Sequence, residues 1–210
     1  MEISPKISVL FLDIGGVLLT NGWDHTARQR AASTFKLDYE QMNDRHGMTF
    51  DTYERGLLSL DDYLKRVVFY EPRSFSPDAF KEFMFGQSEP FDDNIAFFQK
   101  IAQNNHLRVG AISNEGRELT VHRIETFDLT TLIEFFISSC FVHFRKPDEG
   151  IYRLALDIAQ VRPQEAVYVD DRAMFAEIAQ GLGIHSIHHQ NLKQTRQAFA
   201  EVGLDVSATT

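Results

Sequence analysis

The sequence predicts a three-layer, doubly wound parallel α/β sheet, interrupted by an all-helical insertion. Three observations carry this. Five apolar runs of strand length, at about 7–12, 107–112, 135–140, 166–169 and 184–188, each end in polar residues and, after the second, alternate with helix-length segments. The first run, Val9-Leu10-Phe11-Leu12, is apolar at every position rather than at alternate ones, as in a strand covered on both faces. Between the first and second runs lies a stretch, about 22–85, with apolar residues at helical spacing and no convincing strand.

Taken in order, the opening strand runs into Asp13 and the breaker Gly15-Gly16, where the backbone turns tightly or admits a close neighbour. The insertion reads as about four helices. Ser59 with Asp61-Asp62 marks one helix start, and Ser76-Pro77-Asp78 marks another with proline at the first helical position. From Asp92 the order becomes helix to about 103, strand to Ile112 ending at Ser113-Asn114, and helix from Glu118 to Phe127. A strand over 135–140 follows, then a helix opened by Pro147-Asp148 and running to about Ala159. The strand Ala166–Val169 ends on Asp170-Asp171; a helix to Leu182, a strand to His188 and a last helix to about Val202 complete the chain. Ser207 to Thr210 read as a frayed end.

With 43% hydrophobic residues over 210 positions, the chain has enough apolar material for one domain carrying a sizeable insertion. A net charge of −9, with no Lys/Arg block, argues against nucleic acid and anionic membrane surfaces as partners. A single cysteine, Cys140, rules out an internal disulfide or a thiolate zinc cluster, and its apolar setting reads as core. No apolar run approaches the roughly 18 residues of a membrane span. Met1-Glu2 leads to the first strand without the pattern of a signal peptide, so a cytoplasmic setting is the expectation. Oligomeric state is not legible. His185, His188 and His189 show no metal-ligand spacing and read as surface or strand residues.

The strand ends hold the chemistry. Asp13, Ser113-Asn114 and Asp170-Asp171 follow strands one, two and four, and Arg145-Lys146-Pro147-Asp148 follows strand three. In a parallel sheet all of these face one edge, where open α/β folds bind ligands. Each alone has a plain explanation as a cap, a turn or a solvated charge. Together they place three carboxylates, a cation and a hydroxyl in one site. Carboxylates so close call for a cation, and hard oxygen donors suit Mg²⁺, which with few protein ligands usually shares its shell with a phosphate. Lys146 adds a point charge for a phosphoryl oxygen, and Ser113 with the adjacent N–H groups, Asn114 included, adds donors. The chemistry suggested is attack by Asp13 on phosphorus, giving an aspartyl-phosphate that water then hydrolyses.

On Asp13 with its apolar lead-in, Ser113 after an apolar strand, Lys146 in Arg-Lys-Pro-Asp and the pair Asp170-Asp171, in that order, the chain resembles the haloacid dehalogenase-like (HAD) superfamily of phosphohydrolases. The resemblance implies Asp13 as nucleophile and Mg²⁺ ligand, the main-chain carbonyl of Gly15 as a second ligand, and Asp171 with Asp170 completing the protein's share of the metal shell. It also implies a core of residues 1–20 and 88–210, with 21–87 as the helical cap of the superfamily's first subclass. Such caps close over the site and select the substrate. Trp23, Tyr53, Phe69 and Tyr70 are therefore either cap core or pocket lining.

One departure stands out. The family's usual first motif carries a second Asp two residues after the nucleophile, as acid to the leaving group and base for water; here Gly15 takes its place. Loss of a positioned acid/base costs on the order of 10²–10⁴ in rate. Two readings stay open: a phosphatase for leaving groups that need little protonation, or one using another group such as Asp24, His25 or Glu115; and a non-catalytic phosphate-binding or regulatory protein on the same fold. A dehalogenase would not need the acidic pair. A receiver domain would place its acidic pair after the first strand and carry no helical insertion.

Overall fold

A computed structural model describes residues 6–207. Met1 to Pro5 and Ala208 to Thr210 lie outside the described residues, so the readings of the extreme N-terminus and of most of the frayed C-terminal end are not addressed. Five strands, β1 (Val9–Leu12), β2 (Arg108–Ser113), β3 (Phe135–Ser138), β4 (Ala166–Asp170) and β5 (His185–His188), form one parallel sheet in the order β3-β2-β1-β4-β5. Every residue of β1 is buried, which is why its sequence is apolar throughout.

Alternate side chains of β1 feed two cores. Leu10 and Leu12 join Val109, Val167 and Val169 against Phe97, Phe98 and Ile101 of α5 (Asp92–Asn105) and Phe199 of α10 (Leu192–Glu201). Val9 and Phe11 join Ile112, Ile137 and Tyr168 against Ile151, Tyr152 and Ala155 of α8 (Glu149–Ala159) and Ala179 of α9 (Ala173–Gly181). The result is the three-layer doubly wound arrangement.

Between β1 and α5 come α1 (His25–Phe35), α2 (Tyr39–Glu54), α3 (Leu60–Val67) and α4 (Pro77–Phe85). Asp24, Asp38, Ser59 and Ser76 cap their first turns by accepting from the backbone N–H of Ala27, Gln41, Asp62 and Ala79. These helices share a core of their own, including Ala27, Met42, Tyr53, Tyr63, Leu64, Phe80 and Met84, which Leu119 of α6 (Arg117–Thr126) completes. Leu119 thus ties the helical bundle to the sheet layers, since Ile124 of the same helix packs on the sheet core. Among the described residues no helix is long and apolar enough to cross a membrane.

One local reading changes. The strand expected over 135–140 stops at Ser138, and Ser139–Val142 coils into a short helix, α7. The cause is tertiary: the Ser139 hydroxyl donates to Glu54 O (2.6 Å) and accepts from Glu115 N (3.1 Å), turning the chain toward the bundle. Asp148, expected to open a helix, does so as the N-cap of α8, its carboxylate accepting from Gly150 N at 2.7 Å.

Candidate active site

The sheet order puts β1 at the switch point, with β2 on one side and β4 on the other, so the residues after these three strands converge at its carboxyl edge. Register carries this through: Leu12 pairs with Ala111 and Val169, and the Asp13 N–H donates to Val169 O at 2.9 Å. The Asp13 carboxylate then accepts from Ile14 N (2.7 Å) on one oxygen and from Lys146 Nζ (3.0 Å) on the other. Beyond it the chain turns at Gly16, whose φ of +73° favours glycine. Space demands glycine there too, because a Cβ would lie 2.2 Å from Asp171 Oδ2.

Lys146 is the electrostatic centre of this edge, 1% exposed and bonded to Asp13, to Asp170 Oδ2 (2.7 Å) and to the Tyr168 hydroxyl (3.2 Å). Burial opposes its charge, but Asp13 and Asp170 outweigh that and hold the ammonium above its ordinary range. Burial also pushes the Asp13 carboxyl up to about 6; Lys146 pulls it down, while Asp170 and Asp171 add to the rise. Asp170 is engaged on both oxygens, by Lys146 and Tyr168 on one and by Arg172 N (2.8 Å) on the other. Asp171 differs. Among the described residues its Oδ2 accepts only from Asn21 Nδ2 (3.3 Å), and its buried Oδ1 has no partner.

One oxygen from each of Asp13, Asp170 and Asp171 lies within 4.8 Å of the others. Three hard, anionic carboxylates, one of which carries a buried oxygen without a hydrogen bond among the described residues, fit an oxygen-loving divalent cation. Ser113 is buried and lines the cleft. Asn114 acts through Lys146: its Nδ2 donates to Lys146 O (2.8 Å) and its Oδ1 accepts from Lys146 N (2.9 Å). The Asn114 side chain therefore clamps the lysine's backbone.

At Gly15, a Cβ would lie 2.9 Å from Asn21 Oδ1, so the Asn21 side chain crosses the space that a side chain at 15 would enter. The three acid/base candidates all line the cleft. Asp24 is occupied as the cap of α1, and His25 is exposed. Glu115 is buried against Arg123 (3.1 Å); burial pushes its carboxyl up to about 7, although Arg123 pulls the other way.

The cleft, about 340 Å³, is closed on its far side by the helical bundle. Of the four aromatic residues singled out in the sequence, Trp23 lines it. Tyr53 stacks on Tyr63 in the bundle core (4.4 Å between centroids), Phe69 packs against Phe75 and Phe80, and Tyr70 lies under Arg45. Sequence reasoning missed Arg28, His46, Phe50 and Glu54, which share that wall with Arg145. No motif marks them. Arg145, adjacent to Lys146, donates to Glu54 Oε2 (2.7 Å), an ion pair that joins the loop after β3 to α2. Cys140 is buried, as expected. His188 meets Asp171 O through Nε2 (3.0 Å), and His189 pairs with Thr195.

A family profile described as haloacid dehalogenase-like hydrolase matches residues 7–183. A chloroplast flavin mononucleotide hydrolase of Arabidopsis thaliana is 22% identical over 209 residues, covering 98% of this chain and 82% of the plant protein. A HAD family enzyme from Bacteroides thetaiotaomicron superposes with a TM-score of 0.79 at 18% identity, over 92% of this chain and 98% of the bacterial one. A crystal structure of that enzyme holds magnesium and inorganic phosphate; it matches with a TM-score of 0.73 at 18% identity, over 86% of this chain and 93% of the other. A HAD-like hydrolase from Porphyromonas gingivalis matches with a TM-score of 0.73 at 18% identity, over 93% and 97% of the two chains.

Proposed function

The chain belongs to the haloacid dehalogenase-like hydrolases, and from that premise we propose that it is a Mg²⁺-dependent phosphohydrolase of a small phosphorylated metabolite, working through an aspartyl-phosphate on Asp13. The observation that carries this reading is the cluster at the sheet edge: Asp13 held by buried Lys146, with the partnerless Asp171 Oδ1 and Asp170 beside it. Asp13, Asp170, Asp171 and the Gly15 carbonyl would hold Mg²⁺, which when bound neutralises charge on the transferring phosphoryl group. The Bacteroides enzyme's complex with magnesium and phosphate supports that choice of ion.

In this reading a carboxylate oxygen of Asp13 attacks phosphorus as the bond to the leaving oxygen breaks, and water later displaces phosphate from Asp13. Lys146 keeps Asp13 oriented and offers its charge to a phosphoryl oxygen, while Ser113 Oγ and the backbone N–H groups around Asn114 supply donors. With no carboxylate at 15, the reaction suits leaving groups that depart as weak bases, such as the anomeric oxygen of a sugar 1-phosphate or an acyl oxygen. Residues 21–87 act as a cap over a core formed by 1–20 and 88–210. A cytoplasmic setting and a small-molecule partner, with neither nucleic acid nor membrane, complete the proposal. Gly15 is also the observation that favours a second reading, a non-catalytic phosphate-binding protein on the same fold.

Phosphate release decides between them. The panel comprises sugar phosphates, acyl phosphates, flavin mononucleotide and p-nitrophenyl phosphate, each with Mg²⁺ and with EDTA. The expected result is metal-dependent turnover that Asp13→Asn lowers at least about 10³-fold. Protein that binds Mg²⁺ and phosphate yet turns over none of the panel would be the non-catalytic one.

A further inference from the structure

Among the described residues, three cations of the cleft are matched to acids, and the buried Arg28 of the helical wall is not. Lys146 meets Asp13 and Asp170, Arg123 meets Glu115, and Arg145 meets Glu54. Arg28, only 8% exposed, has no carboxylate within 4.0 Å among the described residues. Glu54, which Arg145 already holds, also feels the Arg28 charge. Three neutral acceptor contacts fix the guanidinium instead: Nε and Nη2 donate to Asn43 Oδ1 (3.2 and 3.1 Å), and Nη1 donates to Trp23 O (2.9 Å). One N–H on each terminal nitrogen remains without a protein acceptor. A buried cation without a counter-ion is costly unless something supplies the opposite charge.

A neutral donor lies beside it. His46 lines the same wall, stacked on Phe50 at 5.3 Å. Trp23 Nε1 donates to the Tyr63 oxygen (2.8 Å), and the fully buried Tyr63 hydroxyl has His46 Nδ1 (2.7 Å) as its acceptor. Hydrogen-bond accounting therefore assigns the imidazole proton to Nε2, which has no hydrogen-bond partner among the described residues, on a ring that lines the cleft. Burial, with the Arg28 charge adding to it, holds the ring down to about 3, so it stays neutral. On the opposite rim the exposed Arg172 lines the cleft without an ion pair.

We propose that this wall receives a second anionic group of the substrate, a carboxylate or a second phosphate on the leaving group, through the free N–H groups of Arg28 and the Nε2–H of His46. The proposal rests on the phosphohydrolase reading and narrows its substrate to a phosphomonoester with a distal anion. A cleft of about 340 Å³ at the lower end of the small-molecule range suits a monosaccharide-sized molecule.

The test compares esters that share one leaving oxygen: glucose 1-phosphate, glucuronate 1-phosphate and glucose 1,6-bisphosphate. The expected result is a kcat/KM at least about tenfold higher for one anionic ester than for glucose 1-phosphate. Whichever is preferred tells carboxylate from phosphate. Arg28→Gln should bring the ratio toward one, chiefly through KM, and Arg28→Lys should keep part of it. A ratio preserved in Arg28→Gln while all rates fall would make Arg28 purely structural and overturn the proposal, as would a wild-type ratio near one. Calorimetric binding of the same esters to Asp13→Asn protein separates the failures. An Arg28-dependent preference in binding without wild-type turnover defeats the hydrolase reading alone; turnover without preference defeats this inference alone.

Discussion

The carboxyl edge of the sheet and the helical wall opposite it face one cleft but leave different polar groups unmatched. At the sheet edge three carboxylates share a single buried cation, and Asp171 Oδ1 has no donor at all. In the helical wall Arg28 has hydrogen-bond acceptors but no acid, and its neighbour His46 is kept neutral. The difference teaches that the cleft is polarised in what it leaves unmatched, a carboxylate oxygen at one end and guanidinium N–H groups at the other. That polarity lies within a chain of net charge −9, so it is local arrangement and not overall composition.

The largest effect should come from Lys146→Met, which leaves Asp13 and Asp170 facing each other without their shared cation. Removing one partner of a buried ion pair costs about 3–5 kcal/mol. Denaturant unfolding in metal-free buffer should show a loss of that size, partly restored by Mg²⁺. A loss below about 1 kcal/mol would mean that the acids tolerate one another, and the contrast between the two walls would fail.

Gly16→Ala should act next, and on the sheet edge alone. The positive φ and the contact with Asp171 Oδ2 both oppose a Cβ, so Asp171 must shift. Calorimetry should find Mg²⁺ affinity reduced about tenfold or more, equivalent to roughly 1.4 kcal/mol. Unaltered affinity would detach Asp171 from the metal site.

The smallest effect belongs to His46→Gln, which sharpens the comparison from the other wall. The folded-state value of His46 is depressed from 6.5 to about 3, so the unfolded chain gains a proton first as pH falls. Its contribution to stability is complete above pH 6.5 and declines as pH drops toward 3. Unfolding free energies measured between pH 7 and 5 should therefore fall less steeply in the variant. The limit is about 1.4 kcal/mol per pH unit, and partial exposure of the ring keeps the difference below it. Parallel slopes would mean that His46 takes a proton in the folded protein, contrary to its role as a neutral donor.

The sheet edge was legible because strands impose local rules. A strand covered on both faces must be apolar throughout, and a parallel sheet must bring its strand ends to one edge, so Asp13, Ser113, Lys146 and Asp170-Asp171 could be gathered before any coordinates. Helix caps such as Ser59 and Ser76 were legible for the same local reason. What the sequence did not show is that the Asn114 side chain holds the Lys146 backbone, a contact between residues 32 positions apart.

The helical wall obeys no such rule. Arg28 and His46 lie on α1 and α2 at positions that any solvated helix face could offer. They become a site only because Trp23, Asn43 and Tyr63, brought in from elsewhere in the bundle, fix one guanidinium and one imidazole proton. The same holds for Ser139, which ends β3 early by reaching Glu54 and Glu115. The sequence by itself determined the layers, the strand order's shared edge and the acids and lysine that stand there, because backbone periodicity and burial decide these locally. Only the tertiary structure decided which polar groups on the opposite wall keep a free donor, because that depends on which partners packing brings within hydrogen-bond distance.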